Sequence, residues 1–175
     1  TYRVYANLLP GYKVVNLYGD LVHPLSIETT SAFYNDPNYG FALYQGISVN
    51  NTKKNTTLVD SYLTIGVVAN GLIGVPKVED TDGSIGNLQG ILANMDPQMG
   101  LPITGANSSD GLMPGTSNVP GGLGFSGELD VFDQTAGSSS ITNNGAIYAL
   151  GGVEGVTASN HVLLGQFTTK GDFSF

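Results

Sequence analysis

The sequence predicts an all-β protein, an antiparallel β-sandwich or jelly-roll-like single domain over residues 1–175. Many short segments alternate apolar and polar residues with the period of two that a strand requires. Turn-forming Gly, Pro and Asn residues separate these segments, in the later part of the chain at intervals of about ten residues. A single weak helical pattern interrupts them, which favours a sandwich or barrel over any mixed class.

The first part of the chain reads as strands and tight turns. Residues 2–7 alternate, and Pro10 and Gly11 then form a turn. Residues 58–68 carry the strongest strand pattern, and Asn70-Gly71 after them is a two-residue hairpin signal. Further strands are predicted at 12–18 and 25–30.

The middle of the chain, residues 76–122, is rich in Gly, Pro and Asn and has little periodicity. We expect a long irregular insertion there, because so long a structureless stretch is unusual within a compact domain. Ser84 is a candidate cap for one short helix inside it. Strands return in the last third, at 128–132, 146–150, 153–156, 161–169 and 172–175.

Composition excludes several classes of protein. Acidic residues number 14 against 6 basic ones, a formal net charge of −8, so no basic surface for nucleic acid is expected. No apolar run is long enough for a membrane span. The absence of Cys excludes disulfides and cysteine-based zinc sites or nucleophiles.

The same composition is typical of secreted proteins, so we expect an extracellular or cell-surface location. Thr1 opens directly into a strand pattern, which is the start expected after removal of a signal peptide. Residues 172–175 read as the middle of a strand. We therefore expect either that the natural chain continues or that another molecule completes the strand.

Asp80 and Asp82 are the candidate metal ligands, in an acidic turn that ends at Gly83. Carboxylates two residues apart before a glycine suit a hard cation such as calcium. An EF-hand loop starting at Asp80 would need an acid where Ile91 stands, so that motif fails. An acidic turn closed by its own side-chain hydrogen bonds is the alternative. No other cofactor is expected.

Three Asn-x-Ser/Thr sequons, at Asn50, Asn55 and Asn107, lie in predicted loops and are candidate sites for covalent glycans. Tyr34, Tyr39 and Tyr44 cluster in one aromatic segment. Exposed tyrosines stack on sugar rings or fill a partner's groove, although packing at the edge of the sandwich explains them equally well.

Segments at both ends of the chain are similar to a group of known proteins. These are 2–6, 33–37 and 61–66, and the closing stretch 163–175, LLGQFTTKGDFSF. Together they resemble uncharacterised secreted β-sandwich proteins of aquatic bacteria that occur among surface-layer, matrix and fibre components. The resemblance implies a structural role and assigns no catalytic residue.

We therefore expect a non-enzymatic structural subunit that forms a homopolymer, in an extracellular fibre or surface layer. The predicted joint is a terminal strand, 2–7 or 161–175, lying in a neighbour's sheet, as in donor-strand complementation. Its residues are Tyr2, Val4, Phe167, Phe173 and Phe175. The alternative is a carbohydrate-binding module, possibly calcium-assisted, that uses the tyrosine cluster. A hydrolase ranks third, because only the abundance of acidic residues supports it.

Overall fold

A computed structural model describes residues 1–43, 48, 51, 55–80, 111–133 and 136–175. Every ladder between its strands is antiparallel, which confirms the predicted all-β class. The described strands are β1 (Tyr2–Asn7), β2 (Val14–Tyr18), β3 (Leu25–Thr29), β4 (Tyr62–Leu63), β5 (Val67–Ala69), β6 (Leu72–Gly74), β7 (Leu112–Pro114), β8 (Pro120–Leu123), β9 (Ser139–Thr142), β10 (Ala146–Val153), β11 (His161–Phe167) and β12 (Phe173–Ser174). The described helices are one turn each: α1 (Asn55–Leu58) and 3₁₀ helices at Lys77–Glu79 and Asp130–Phe132.

The strands form four three-stranded sheets within the described ranges. Sheet A has the order β1-β11-β4, sheet B β2-β10-β8, sheet C β12-β3-β9 and sheet D β5-β6-β7. Strands that are consecutive in the chain often lie in different sheets; β1, for example, lies in sheet A and β2 in sheet B. This is the arrangement of a β-sandwich, in which connections cross between layers.

Sheet A separates two hydrophobic clusters. The larger cluster contains Ile27, Phe132, Ile147, Val162 and Phe167, and the smaller contains Tyr62, Leu72, Ile73, Leu112 and Leu163, among others. Because successive side chains point to opposite faces, β1 places Val4 and Ala6 against the larger cluster and Tyr5 against the smaller. Both faces of β1 therefore contribute to the interior.

A β-bulge in β11 makes this two-sided packing possible. Val162 and Phe167 are five positions apart and would face opposite sides of a regular strand. The register shifts where Val4 pairs with Gly165 and the next residue, Tyr5, pairs with Leu163. The extra residue reverses the alternation, so Val162 and Phe167 both reach the larger cluster.

Three strand predictions are wrong in detail. The strands predicted at 146–150 and 153–156 are one strand, β10, which ends at Val153. Residues 128–132 do not form a strand; Asp130–Phe132 is a 3₁₀ helix that buries the adjacent side chains Val131 and Phe132 together. Residues 58–68 are not one strand either. The chain turns at Gly66, whose φ of 82° favours glycine, and passes from β4 in sheet A to β5 in sheet D.

The predicted insertion at 76–122 also needs correction at its C-terminal end. Residues 112–114 and 120–123 form β7 and β8, which complete sheets D and B. Their short sequences contain Pro and Gly and do not alternate, so side-chain pattern did not predict them. Pairing with neighbouring strands stabilises them instead. The helix predicted at Ser84 lies outside the described residues. Within the described part of the chain, no helix is long and apolar enough to cross a membrane.

Candidate functional site

The predicted assembly strands pair with each other inside one chain. β1 and β11 run antiparallel along their whole length, from Tyr2 opposite Phe167 to Asn7 opposite His161. β11 also pairs with β4, so it is an interior strand. Within one chain β11 is therefore paired on both sides, and the choice between 2–7 and 161–175 as the joint stays a prediction. β1 is the outermost strand of sheet A, and its second edge pairs with no other described strand.

Four of the five predicted assembly residues form one aromatic cluster. The ring of Tyr2 stacks on Phe173 with centroids 4.9 Å apart, and Phe173 stacks on Phe167 at 5.1 Å. Phe175 lies 5.9 Å from Phe167. Each such pair contributes about 0.5–1.5 kcal/mol beyond the area it buries. The fifth residue, Val4, packs against the larger core. Within the single chain these side chains hold the two termini together.

Side-chain hydrogen bonds fasten β1 at its beginning and along its length. The hydroxyl oxygens of Thr1 and Thr168 are 2.7 Å apart. Arg3 Nε donates to Gln166 Oε1 at 2.9 Å. Gln166 in turn donates from Nε2 to the carbonyl oxygens of Leu58 and Asp60. β1 is thereby linked through β11 to the segment before β4.

Asn160 fastens the chain immediately after β1. It has a φ of 51°, and Leu8 N donates to its carbonyl oxygen. Its Nδ2 donates to the carbonyl oxygens of Leu9 and Tyr12, at 2.8 and 3.0 Å, and its Oδ1 accepts a bond from Gly155 N. Asn is one of the few residues that tolerates this backbone conformation. The buried amide therefore orders the connection from β1 to β2.

The His161 ring contacts a carboxylate at the same end of β1. Its Nδ1 lies 2.7 Å from Glu79 Oε1, and the Thr157 hydroxyl donates to Glu79 Oε2. Burial raises the pKa of Glu79, but bonds from Thr157, His161 and Ser159 outweigh it and hold that pKa below its usual value. The contact ties the 3₁₀ helix Lys77–Glu79 to β11.

The aromatic loop that carries the predicted sugar-binding tyrosines rests on two buried aspartates. Asp36 Oδ1 accepts bonds from Asn38 N and Tyr39 N, and its Oδ2 accepts the Thr57 hydroxyl. Asp60 Oδ1 accepts Asp36 N at 2.7 Å, and Asp60 Oδ2 accepts Phe41 N at 3.1 Å. The loop is therefore fixed to the start of β4 by carboxylates that sequence reasoning did not single out.

Burial dominates the ionisation of Asp60. Removal from water, with a further contribution from the charge of Asp36, raises its pKa from 3.8 to about 7, against the opposing effect of the backbone hydrogen bonds. Gly40 is required beside it, because a Cβ there would lie 2.6 Å from both Asp36 O and Asp60 Oδ1. The site is closely packed around both carboxylates.

Of the predicted sugar-binding residues, Tyr34 and Tyr39 lie in this loop, whereas Tyr44 is outside the described residues. Tyr34 is half-buried; its N–H donates to Thr168 O, and its carbonyl oxygen accepts the Ser61 hydroxyl. Tyr39 is the more exposed of the two. Sugar binding by this loop stays a prediction.

The predicted metal and glycan residues are only partly described. Asp80 is buried, and its Oδ2 accepts bonds from Gly111 N and Leu112 N. Asp82, Asn50 and Asn107 lie outside the described residues, as does the side chain of Asn55, which begins α1. In the described ranges, no three His, Cys, Asp or Glu residues gather as a metal site. Calcium and glycans stay predictions.

Comparison with known proteins adds no assignment. No family model matches the chain, and neither a curated protein nor a solved structure is similar to it. The resemblance to secreted bacterial surface proteins stays a prediction.

Proposed function

We propose that the chain is a structural subunit of an extracellular fibre or surface assembly, in which copies join by exchanging β1. The observation that carries the proposal is the position of β1. It is the outermost strand of sheet A, it pairs with β11 along its full length, and its side chains enter both hydrophobic clusters. A β1 from a second copy would make the same contacts, so exchange conserves nearly all of the interactions.

The connection after β1 supplies the hinge for such an exchange. Residues 8–13 link β1 in sheet A to β2 in sheet B and turn at Gly11, which has a φ of 84°. Fully extended, these six residues span about 20 Å. Transfer of β1 from each copy to the next is a head-to-tail contact, which produces a ring or an open filament.

Composition supports a structural role for the assembled protein. Only 11% of the residues are charged, less than half of the usual share of about 25%. Low charge and abundant apolar strands favour self-association. Secretion and glycosylation at Asn50, Asn55 and Asn107 belong to the same proposal.

A designed disulfide tests the exchange directly. Because the natural chain has no Cys, the pair Thr1→Cys and Thr168→Cys introduces one defined bond where the two hydroxyls are 2.7 Å apart. The matched control is Thr29→Cys with Thr169→Cys, whose hydroxyls are 2.8 Å apart and do not involve β1. Oxidation of the first pair locks β1 to its own β11, whereas oxidation of the control leaves β1 free.

We expect electron microscopy to show filaments from the wild-type chain and from the oxidised control, and none from the oxidised Thr1/Thr168 variant until a reductant is added. Mixing the two single variants, Thr1→Cys and Thr168→Cys, should yield disulfide-linked heterodimers. The disulfide is formed in dilute monomer, because in exchanged filaments the same two residues would join neighbouring chains. Filaments from chains whose Thr1/Thr168 disulfide lies within one chain, seen as monomers on non-reducing gels, would refute strand exchange. A chain that lacks residues 1–7 should not assemble, and its polymerisation would also refute the N-terminal joint.

A further inference from the structure

The outer face of sheet B is apolar, although it faces away from the core. Register places Tyr18, Ala146 and Leu123 side by side across β2, β10 and β8, with Asn16, Tyr148 and Gly121 in the next row of this face. Leu150 extends the face along β10. The exposed fractions are 56% for Tyr18, 69% for Leu123, 38% for Tyr148 and 78% for Leu150.

This pattern differs from that of an ordinary solvated sheet. An antiparallel sheet with one wet face normally places polar side chains on it, whereas the opposite face packs on the core. Here the core-facing positions, such as Leu17 and Ile147, are apolar as expected. The outer positions are mostly apolar too, with Asn16 as the polar exception, and exposed apolar patches rimmed by polar residues mark interaction sites.

Tyr18 and Tyr148 give the two rows an exposed aromatic surface. The ring of Tyr148 covers Gly121 on the neighbouring strand, since a Cβ at Gly121 would lie 2.8 Å from Tyr148 Cζ and Oη. Tyrosine offers a large apolar surface with few rotatable bonds, which is why it is enriched at protein interfaces. Both β2 and β8 are outer strands of sheet B, so neither side of the face is flanked by another described strand.

The charge pattern identifies the occupant. The chain carries a formal charge of −8, so two copies repel each other over most approaches. None of the seven face positions, residues 16, 18, 121, 123, 146, 148 and 150, is charged. Two copies can therefore bring this face together without opposing like charges or burying an unpaired one. Interfaces between identical subunits are typically the more apolar ones.

We infer that the outer face of sheet B packs against the same face of a second copy. The contact is isologous, so each copy presents the same residues, and the two sheets stack face to face. This inference supplies a lateral contact for the assembly proposed above, but it does not depend on exchange of β1.

The test uses the oxidised Thr1/Thr168 disulfide variant, in which β1 cannot leave its own sheet. Sedimentation equilibrium should show a monomer–dimer equilibrium in this locked chain. Introducing Leu123→Asp or Leu150→Asp should raise the dimer dissociation constant at least about tenfold, as expected for central apolar contacts. Leu123→Thr and Leu150→Thr introduce a residue that is favoured in strands, and they should raise the dimer dissociation constant by a smaller factor.

Leu21→Asp is the matched control. Leu21 is 85% exposed in the connection between β2 and β3, and the substitution makes the same charge change away from the face. It should change the dissociation constant less than about twofold. Added salt should tighten the dimer, because it screens the repulsion between acidic copies while leaving the apolar contact in place. Circular dichroism confirms that each variant is folded.

A locked chain that stays monomeric at all accessible concentrations would overturn the inference. A dimer insensitive to both Asp variants would do the same, as would a monomer whose sheet B face binds a polysaccharide or lipid vesicles instead. The outcomes separate the two proposals. If the locked chain still polymerises, strand exchange fails; if it forms a dimer that the face variants dissociate, the sheet B contact stands whether or not exchange occurs.

Discussion

Asp60 is the residue at which the structure makes the sharpest quantitative prediction. Its carboxylate is buried, close to the second buried aspartate Asp36, and accepts backbone bonds from Asp36 N and Phe41 N. Burial raises the pKa to about 7 from 3.8, so near neutral pH the folded chain holds a proton that the unfolded chain has released.

The sign of the pH dependence follows from proton binding. Between pH 4 and 7 the folded state binds more protons at Asp60 than the unfolded state, so the free energy of unfolding falls as the pH rises through this range. With the pKa near 7 in the folded state and 3.8 in the unfolded state, the loss from pH 5 to pH 8 is on the order of a few kcal/mol. That is a large part of a typical total of about 5–15 kcal/mol.

The assay is urea unfolding at half-unit steps from pH 5 to pH 8, for the wild-type chain and Asp60→Asn. The wild type should lose a few kcal/mol, on the order of 2–3, relative to the variant across the range. Asn accepts the Asp36 N–H through Oδ1 but faces the Phe41 N–H with its own NH₂ group, so the variant starts about 1–3 kcal/mol lower at pH 5. The difference between the two chains reports the titration of Asp60 together with its coupling to Asp36, since every other group is common to both.

Asp20→Asn is the control, because the Asp20 carboxylate should not contribute to the change in stability between pH 5 and pH 8. Asp20 is exposed, and bonds from His23 N and Val22 N lower its pKa, so its titration lies below this pH range. Its pH profile should parallel the wild type. Parallel profiles for wild type and Asp60→Asn, or a wild type that gains stability relative to that variant with rising pH, would refute the reasoning about Asp60.

Four further substitutions, at Asn160, Phe167 and Phe175, test how β1 is held. Asn160→Gly keeps the backbone conformation but removes three side-chain hydrogen bonds, and should lower the free energy of unfolding by about 2–4 kcal/mol in urea titrations. Asn160→Ala should lower it by about 1 kcal/mol more, because alanine is strained at the φ of 51°. Equal losses for the two variants would contradict the argument from backbone conformation. Phe167→Ala should cost about 3–5 kcal/mol by thermal or urea unfolding, because this fully buried ring contacts Phe33, Phe132 and Phe173. Phe175→Ala, at a half-exposed ring, should cost less than about 1 kcal/mol, and similar losses at both positions would contradict the packing described here.

The terminal strands show which parts of the candidate site could be predicted from local sequence pattern. Alternation in 2–7 and the β-branched and aromatic residues of 161–169 are local properties, and both strands were predicted from them. Their pairing joins residues more than 150 positions apart, and strand order is not encoded in the period of either segment. The sequence alone therefore placed the joint at either terminus, whereas the sheet order assigns β11 to the interior.

Residues 128–132 and 58–68 show where local pattern fails. An alternating run of five residues also fits one turn of 3₁₀ helix, and burial of adjacent Val131 and Phe132 against the core decides for the helix. At Gly66 the chain must change direction to enter sheet D, and this requirement overrides a sequence pattern that is continuous across the turn. In both cases tertiary packing outweighs a propensity of less than about 1 kcal/mol per residue.

By itself the sequence determined the class of this protein: an acidic, cysteine-free, all-β chain, with β1 and β11 present as strands. Only the tertiary structure decided which side chains share a surface. The Asp36 and Asp60 carboxylates, the Asn160 amide and the outer face of sheet B all depend on segments distant in the chain. Period and composition report which face of a segment is apolar, but what covers that face is set by the packing of the whole chain.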